Sequence, residues 1–330
     1  MFRHHTKLLL AFFVAILFAD SSCVKDPSDA LPSIADLVVS NPDFNTLEDA
    51  AIQCNLVFVL SNPNAGDPSG DFTVFAPNDK AFARLNLLNS DDLTQLKTDF
   101  LTQTVLYHVS NGNLRSNELS EGNQSASVIG ISRRIVFAGN DRYINGSKII
   151  ATDVRAANGT VHVLDKVLLA TGLDIVQSAL ALRDTQVFKT PELTFLVEAV
   201  LYAELAGALS ASPGSPSFTV FAPTDAAFRQ LGIDLGVSLE VPSDIRQLPK
   251  DVVAAVLLHH VVADGGKFTS EMNQTRIKPL GGGTDLSIAR FSNGDIAIGG
   301  RGNNSLAKAV IPDILATNGV IHLIDRVLLP

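Results

Sequence analysis

One eleven-residue stretch occurs twice, and it restricts the fold more than any other feature of the chain. It reads Phe72-Thr73-Val74-Phe75-Ala76-Pro77-Asn78-Asp79-Lys80-Ala81-Phe82. It returns as Phe218 to Phe228, changed only at Thr224 and Ala226, with an offset of 218 − 72 = 146. β-Branched and aromatic residues in alternation predict a buried strand. Pro77 and Pro223 close it, because proline brings no N–H to a ladder. Asn78 and Thr224 then stand where a helix N-cap is wanted. Asp79 and Asp225 follow in the first turn, where the helix dipole favours a negative charge. Phe82 and Phe228 are placed on the inward face of that helix.

A second pair of matched segments closes each copy. Asn158-Gly159-Thr160-Val161-His162-Val163-Leu164-Asp165-Lys166-Val167-Leu168-Leu169 answers to Asn318 through Leu329. The offset is now 318 − 158 = 160, so the second copy carries 160 − 146 = 14 extra residues, expected at Asp234 to Leu248. Two copies in 330 residues are long enough for two cores. Helices are predicted at 34–40, 46–60 (Thr46 as N-cap), 91–103, 173–182, 191–209 (Thr190 as N-cap) and 250–258. Strands are predicted at 104–109 and 259–262, carrying His108 and His260. Asn-Gly and Gly-Asn breaks punctuate short β-type runs between Arg133 and Leu169.

The first residues have the form of an export signal. Arg3 and Lys7 precede twelve apolar residues, Leu8 to Ala19, too few for a membrane span of about 20. Small residues then lead to Cys23, which predicts a lipoprotein signal over 1–22 with Cys23 as the lipidated residue. Cleavage by an ordinary signal peptidase after Ser21 is the alternative. Residues 23–31 read as a flexible tether rich in Asp, Ser and Pro.

A net charge of −9 argues against nucleic acid, whose phosphates need a basic face. Trp is absent while Phe numbers 18, so the aromatics read as core filler and not as a stacking platform. The two cysteines, Cys23 and Cys54, allow neither a zinc pattern nor a Cys-x-x-Cys pair. Cys54 is read as a buried thiol, with a disulfide to Cys23 as the alternative.

The two signatures, twice and in order, resemble the fasciclin (FAS1) domain, and the resemblance covers about Leu31 to Pro330. It implies an α+β chain of two tandem FAS1 domains, at 32–170 and 171–330, each a β-sandwich-like wedge with packed α-helices. It also implies an extracytoplasmic adhesion or interaction module without catalysis or cofactor. Tandem copies behind a lipoprotein signal look like bacterial, Bacteroidetes-like members. The expected partners are extracellular matrix, polysaccharide or a cell-surface protein, with the membrane touched only through the N-terminal lipid.

Four matched histidines, His108, His162, His260 and His322, invite a metal hypothesis. Each copy supplies only two, flanked by Val, Leu and Ile, so a structural role is expected. The repeated carboxylates Asp79, Asp165, Asp225 and Asp325 have structural work available at helix starts and strand ends. No Gly-x-Ser-x-Gly elbow, His-Glu-x-x-His or P-loop is present, and Gly281-Gly282-Gly283 reads as a loop. In some animal members an Asp-Ile dipeptide in the segment equivalent to Asp313-Ile314 is implicated in integrin binding. Asp153-Val154 takes that place in the first copy, and the bland reading of both is a turn or strand edge. Asn123, Asn145, Asn158, Asn273 and Asn303 each head an Asn-x-Ser/Thr triplet, read as surface-turn composition. The expected function is non-enzymatic, envelope-anchored adhesion or interaction. The alternative is a small-ligand carrier or accessory enzyme using a His/Asp-lined pocket.

Overall fold

The computed structural model of the chain describes residues 31–124, 127–210 and 217–330. The leader, Cys23 and nearly all of the tether lie outside them. The first copy begins with three helices, α1 (Ile34–Ser40), α2 (Asn45–Gln53) and α3 (Val57–Ser61). Strand β1 (Phe72–Pro77) follows, then α4 (Asp79–Ala83), α5 (Ser90–Leu93) and α6 (Thr98–Tyr107). The rest is sheet: β2 (Val109–Asn111), β3 (Gly122–Gln124), β4 (Arg133–Ala138), β5 (Asp141–Ile144), β6 (Ser147–Ala156), β7 (Gly159–Leu164) and β8 (Leu169–Ala170).

The second copy repeats the plan. Its helices α7 (Ile175–Arg183), α8 (Thr194–Tyr202) and α9 (Ala206–Leu209) precede β9 (Phe218–Pro223), α10 (Asp225–Leu235) and α11 (Lys250–His259). Strands β10 (Val261–Val262), β11 (Arg276–Ile277), β12 (Leu286–Arg290), β13 (Ile296–Gly299), β14 (Ala307–Ala316) and β15 (Gly319–Ile324) complete it.

Each signature strand is the hub of its sheet. In the first copy the order is β2-β1-β7-β6-β5-β4-β3, and in the second β10-β9-β15-β14-β13-β12-β11. β1 runs parallel to β7, with Phe72 opposite Gly159 and Pro77 opposite Leu164, and antiparallel to β2. All six residues of β1 and of β9 are buried. Phe72, Val74 and Ala76 face a core shared with the helices, while Phe75 joins a second core built by the strands. Phe218, Val220, Ala222 and Phe221 divide the same way. That two-sided burial is why the stretch is apolar at nearly every position and not only on one face. The ten-residue strands β6 and β14 carry register shifts along their pairing with β7 and β15, and there each sheet curls.

Several local expectations need correction. Thr104–Val109 is not one strand: α6 runs to Tyr107, His108 is its C-cap, and the strand begins at Val109. His260 likewise caps α11, and only 261–262 is strand. Leu101, Thr104, Val105 and His108 are buried at helical spacing, and that packing overrides the β-type composition. The helix predicted over 46–60 breaks at Asn55 (φ +58°), and the equivalent residue Glu204 has φ +59°. Thr46 is not the cap of α2; the carboxylate of Asp79 accepts its N–H from across the fold. Helix α8 starts at Thr194 and not at Pro191, after Leu193 at φ +60°. The extra residues of the second copy are not all at 234–248. His108 and His260 are 260 − 108 = 152 apart, so 152 − 146 = 6 lie before His260 and 160 − 152 = 8 after it.

The copies are joined by more than a linker. β8, the end of the first repeat, pairs in parallel with β14 of the second, Leu169 opposite Ile314. Leu96 bridges Phe188, with Lys97 N–H on the Val187 carbonyl and Lys189 N–H on the Gln95 carbonyl. The residues just before the expected start of α8, Val187 to Lys189, are thus paired with the first copy.

Candidate functional site

The second register shift of each long strand holds an aspartate in the left-handed region, Asp153 at φ +60° and Asp313 at φ +67°. Aspartate tolerates that conformation better than most residues. Beneath it lies the signature histidine. The Asp153 N–H reaches Nδ1 of His162 at 3.4 Å, and the Asp313 N–H reaches Nδ1 of His322 at 3.1 Å. The opposite nitrogens donate to the carbonyls of Leu114 (2.9 Å) and Lys267 (3.0 Å). Acceptance at Nδ1 and donation at Nε2 require the neutral ring. Desolvation by burial lowers both pKa values, which keeps that form.

His108 and His260 are bound as completely. Nδ1 donates to the Thr104 and Val256 carbonyls, both at 2.7 Å. Nε2 accepts the N–H groups of Leu168 (2.9 Å) and Leu328 (2.8 Å). Burial pushes each ring down to about 4. Every ring nitrogen of the four matched histidines therefore serves the backbone. Among the described residues, no three His, Cys, Asp or Glu side chains are grouped as a metal would need.

The repeated aspartates also bind backbone. Asp79 accepts the Thr46 N–H at the start of α2, and Asp225 accepts Phe195 N–H and Thr194 Oγ1 at the start of α8. Asp165 and Asp325 accept the N–H groups of Lys148 (2.6 Å) and Lys308 (2.7 Å), tying the second signature to β6 and β14.

The two bulge aspartates differ in exposure. Asp153 is half-buried, accepting the backbone N–H and hydroxyl of Ser116, and Val154 beside it is 37% exposed. Asp313 and Ile314 are buried. The Asp313 carboxylate takes the N–H and hydroxyl of Thr269, each at 2.6 Å, and the ammonium of Lys166 from the first copy at 2.9 Å. Burial alone would raise this carboxyl, but the Lys166 ammonium and the Thr269 hydrogen bonds hold it below its usual range. Gly146 lies against it, and a Cβ there would meet the carboxylate at 2.4 Å. The dipeptide Asp313-Ile314 thus lies where the copies meet, and its first-copy counterpart is the one that reaches solvent.

Some structural residues carried no clear sequence signal. Asn158 and Asn318 were legible only as turn residues. Both are buried, and their side-chain oxygens cap α1 and α7 through Ile34 N–H and Ile175 N–H, each at 2.9 Å. Their amides donate to the carbonyls of Leu60 and Leu209. Arg133, fully buried, lies over the rings of Phe75 and Tyr107 and donates to the Tyr107 carbonyl. Nothing in the repeat announces it, because Tyr107 corresponds to His259. Cys54 is half-buried and has no disulfide partner among the described residues, and desolvation raises its pKa. Asn145 and Asn158, two heads of Asn-x-Ser/Thr triplets, are buried and hydrogen-bonded.

Both halves match the Fasciclin domain, over residues 42–170 and 191–330. The chain belongs to the fasciclin domain family. Its two fasciclin domains are 28% identical over 266 residues to the transforming growth factor-beta-induced protein ig-h3 of Oryctolagus cuniculus, covering 79% of this chain and 35% of that protein. Human periostin is 28% identical over 273 residues, covering 79% of this chain and 28% of periostin. An uncharacterized protein of Synechocystis sp. is 34% identical over 139 residues, covering 42% of this chain and 98% of that protein. The chain thus spans about a third of the animal relatives it matches. The solved FAS1 domain pair of the insect cell adhesion molecule Fasciclin I covers 90% of this chain at 17% identity, with a TM-score of 0.39.

Proposed function

We propose that the protein is a non-enzymatic adhesion or interaction protein of the cell envelope. In this reading residues 1–22 are a lipoprotein signal, Cys23 is lipidated, and 23–31 tether two fasciclin modules at 32–170 and 171–330. The ligand is matrix, polysaccharide or cell-surface protein, met by exposed loops on rigid scaffolds. The observation that carries the reading is the fasciclin match in both halves. Internal use of the matched histidines and aspartates supports it, since those side chains hold strands and helix starts together. The bulge of domain 1, with Asp153 and the exposed Val154, is the counterpart of the Asp-Ile contact implied by the animal members.

The test is retention of the ectodomain, Val24 to Pro330, on immobilised matrix proteins and polysaccharides. Saturable retention on one class is expected. Failure to bind any class at tens of micromolar protein would sink the reading. Val154→Ser then asks whether the bulge is the contact, and unchanged retention removes it. Asp313→Ala is a poor probe of contact, because it strands the buried Lys166.

A further inference from the structure

The two domains differ in one interior space. In domain 2, α7, α8, α9 and the end of α11 line a cavity of about 290 Å³. The equivalent space of domain 1, between α1, α2, α3 and α6, holds about 30 Å³. Shared hydrogen bonds fix the correspondence. Asn158 and Asn318 bind Ile34 and Ile175, so Val38 matches Ala179. Asp79 and Asp225 bind Thr46 and Phe195, so Val57 and Phe58 match Ala206 and Gly207. Two side chains that line the space in domain 1, Val38 and Val57, are therefore cut back to Ala179 and Ala206 in domain 2. Val176 and Val200 are larger than their counterparts Ala35 and Ala51, yet the space stays open.

The cavity opens to solvent past the exposed Gln177, Leu201 and Gly207, and its deep end is apolar. Val220, Phe221, Leu257 and Val261 form its back wall, and all four are buried. His260 also lines it, but both ring nitrogens are already bonded to backbone. The polar side chains of the lining, Gln177 and Ser210, belong to the less buried part, beside the exposed Gly207. Protein interiors are close-packed, and an apolar cavity of about 150 Å³ already takes up benzene. This one holds on the order of ten groups the size of a water molecule, at about 30 Å³ each. Walls without a free donor or acceptor exclude a polar ligand from the interior but leave room for a polar end at the mouth.

We propose that domain 2 binds a single-chain amphiphile, with a medium-length acyl or alkyl chain in this cavity and its polar head at the mouth beside Gly207. The proposal is independent of the adhesion reading and adds a small-molecule site to one of two otherwise similar modules. Filling the domain 2 space with the residues of domain 1 should close it.

The test uses the delipidated ectodomain, Val24 to Pro330, titrated with 11-(dansylamino)undecanoic acid and competed with decanoic acid. One saturable site displaced by decanoate is expected. The double variant Ala179→Val/Ala206→Val restores two domain 1 residues in the lining and should weaken probe binding at least ten-fold without lowering Tm. Each single change should act in the same direction. Absence of saturable binding overturns the proposal. So does unchanged affinity in the double variant, or displacement by naphthalene but not by decanoate.

Discussion

Gly159 and Gly319 show how a single position can decide whether a sheet closes. A Cβ on Gly159 would fall 1.9 Å from the Phe72 carbonyl oxygen, and one on Gly319 would fall 2.1 Å from that of Phe218. The obstacle is backbone of the signature strand and cannot rotate away. Gly159→Ala and Gly319→Ala should each cost more than about 3 kcal/mol, measured by urea unfolding. A loss under about 1 kcal/mol would contradict the close approach. The same closing segments are tied to two buried histidines, through the Leu168 N–H on His108 and the Leu328 N–H on His260. His108 and His260 are pushed by burial from 6.5 down to about 4. The unfolded chain therefore binds more protons than the folded one between those values. This stability is fully present above pH 6.5 and is lost as pH falls towards 4, by up to about 3 kcal/mol per ring. Tm should drop across that window, and the ring protons of His108 should titrate below pH 5 by NMR. A His108 value at 6.5 would overturn the assignment.

At the scale of elements, the signatures work as fasteners between strand and helix. Asp79 and Asp225 each follow a strand directly and cap a helix from an earlier part of the chain, α2 or α8. Asp225→Ala should cost about 1–3 kcal/mol, because it leaves buried donors at Thr194 and Phe195. Chemical denaturation checks this, and Asp225→Asn should recover part of the loss. The signature strands, their capped helices and α1 were legible, because cap chemistry and two-sided burial leave local marks. The ends of α6 and α11 were not. Thr104 to Tyr107 has the composition of a strand, and only packing against the neighbouring helices reveals its helical period. The start of α8 was hidden for a related reason: Val187 and Lys189 pair with a segment almost a hundred residues away. In the candidate site, the matched positions of the histidines were legible, whereas their backbone partners and the burial of Asp313 were not. Its partner Lys166 matches Arg326 in the second copy, so the repeat carries no sign of a contact made only once.

Across the whole molecule, Lys166 and Asp313 form a buried ion pair between the domains at 2.9 Å. Removing one member of such a pair leaves the other charge desolvated and uncompensated. Lys166→Met should destabilise by about 3–5 kcal/mol. Lys166→Met/Asp313→Asn should lose clearly less than the sum of the single changes, as a double-mutant cycle by denaturation would show. Additivity within about 0.5 kcal/mol would mean that the pair does not couple the domains. The strand β8 carries a further consequence. It ends the first repeat in sequence but is bonded into the second repeat's sheet, through the Leu169–Ile314 and Ala170–Leu315 pairing and the Thr171 N–H on the Leu315 carbonyl. The junction is therefore not a loose string between two beads. Tension applied across the two modules bears on those backbone hydrogen bonds as well as on the connecting chain.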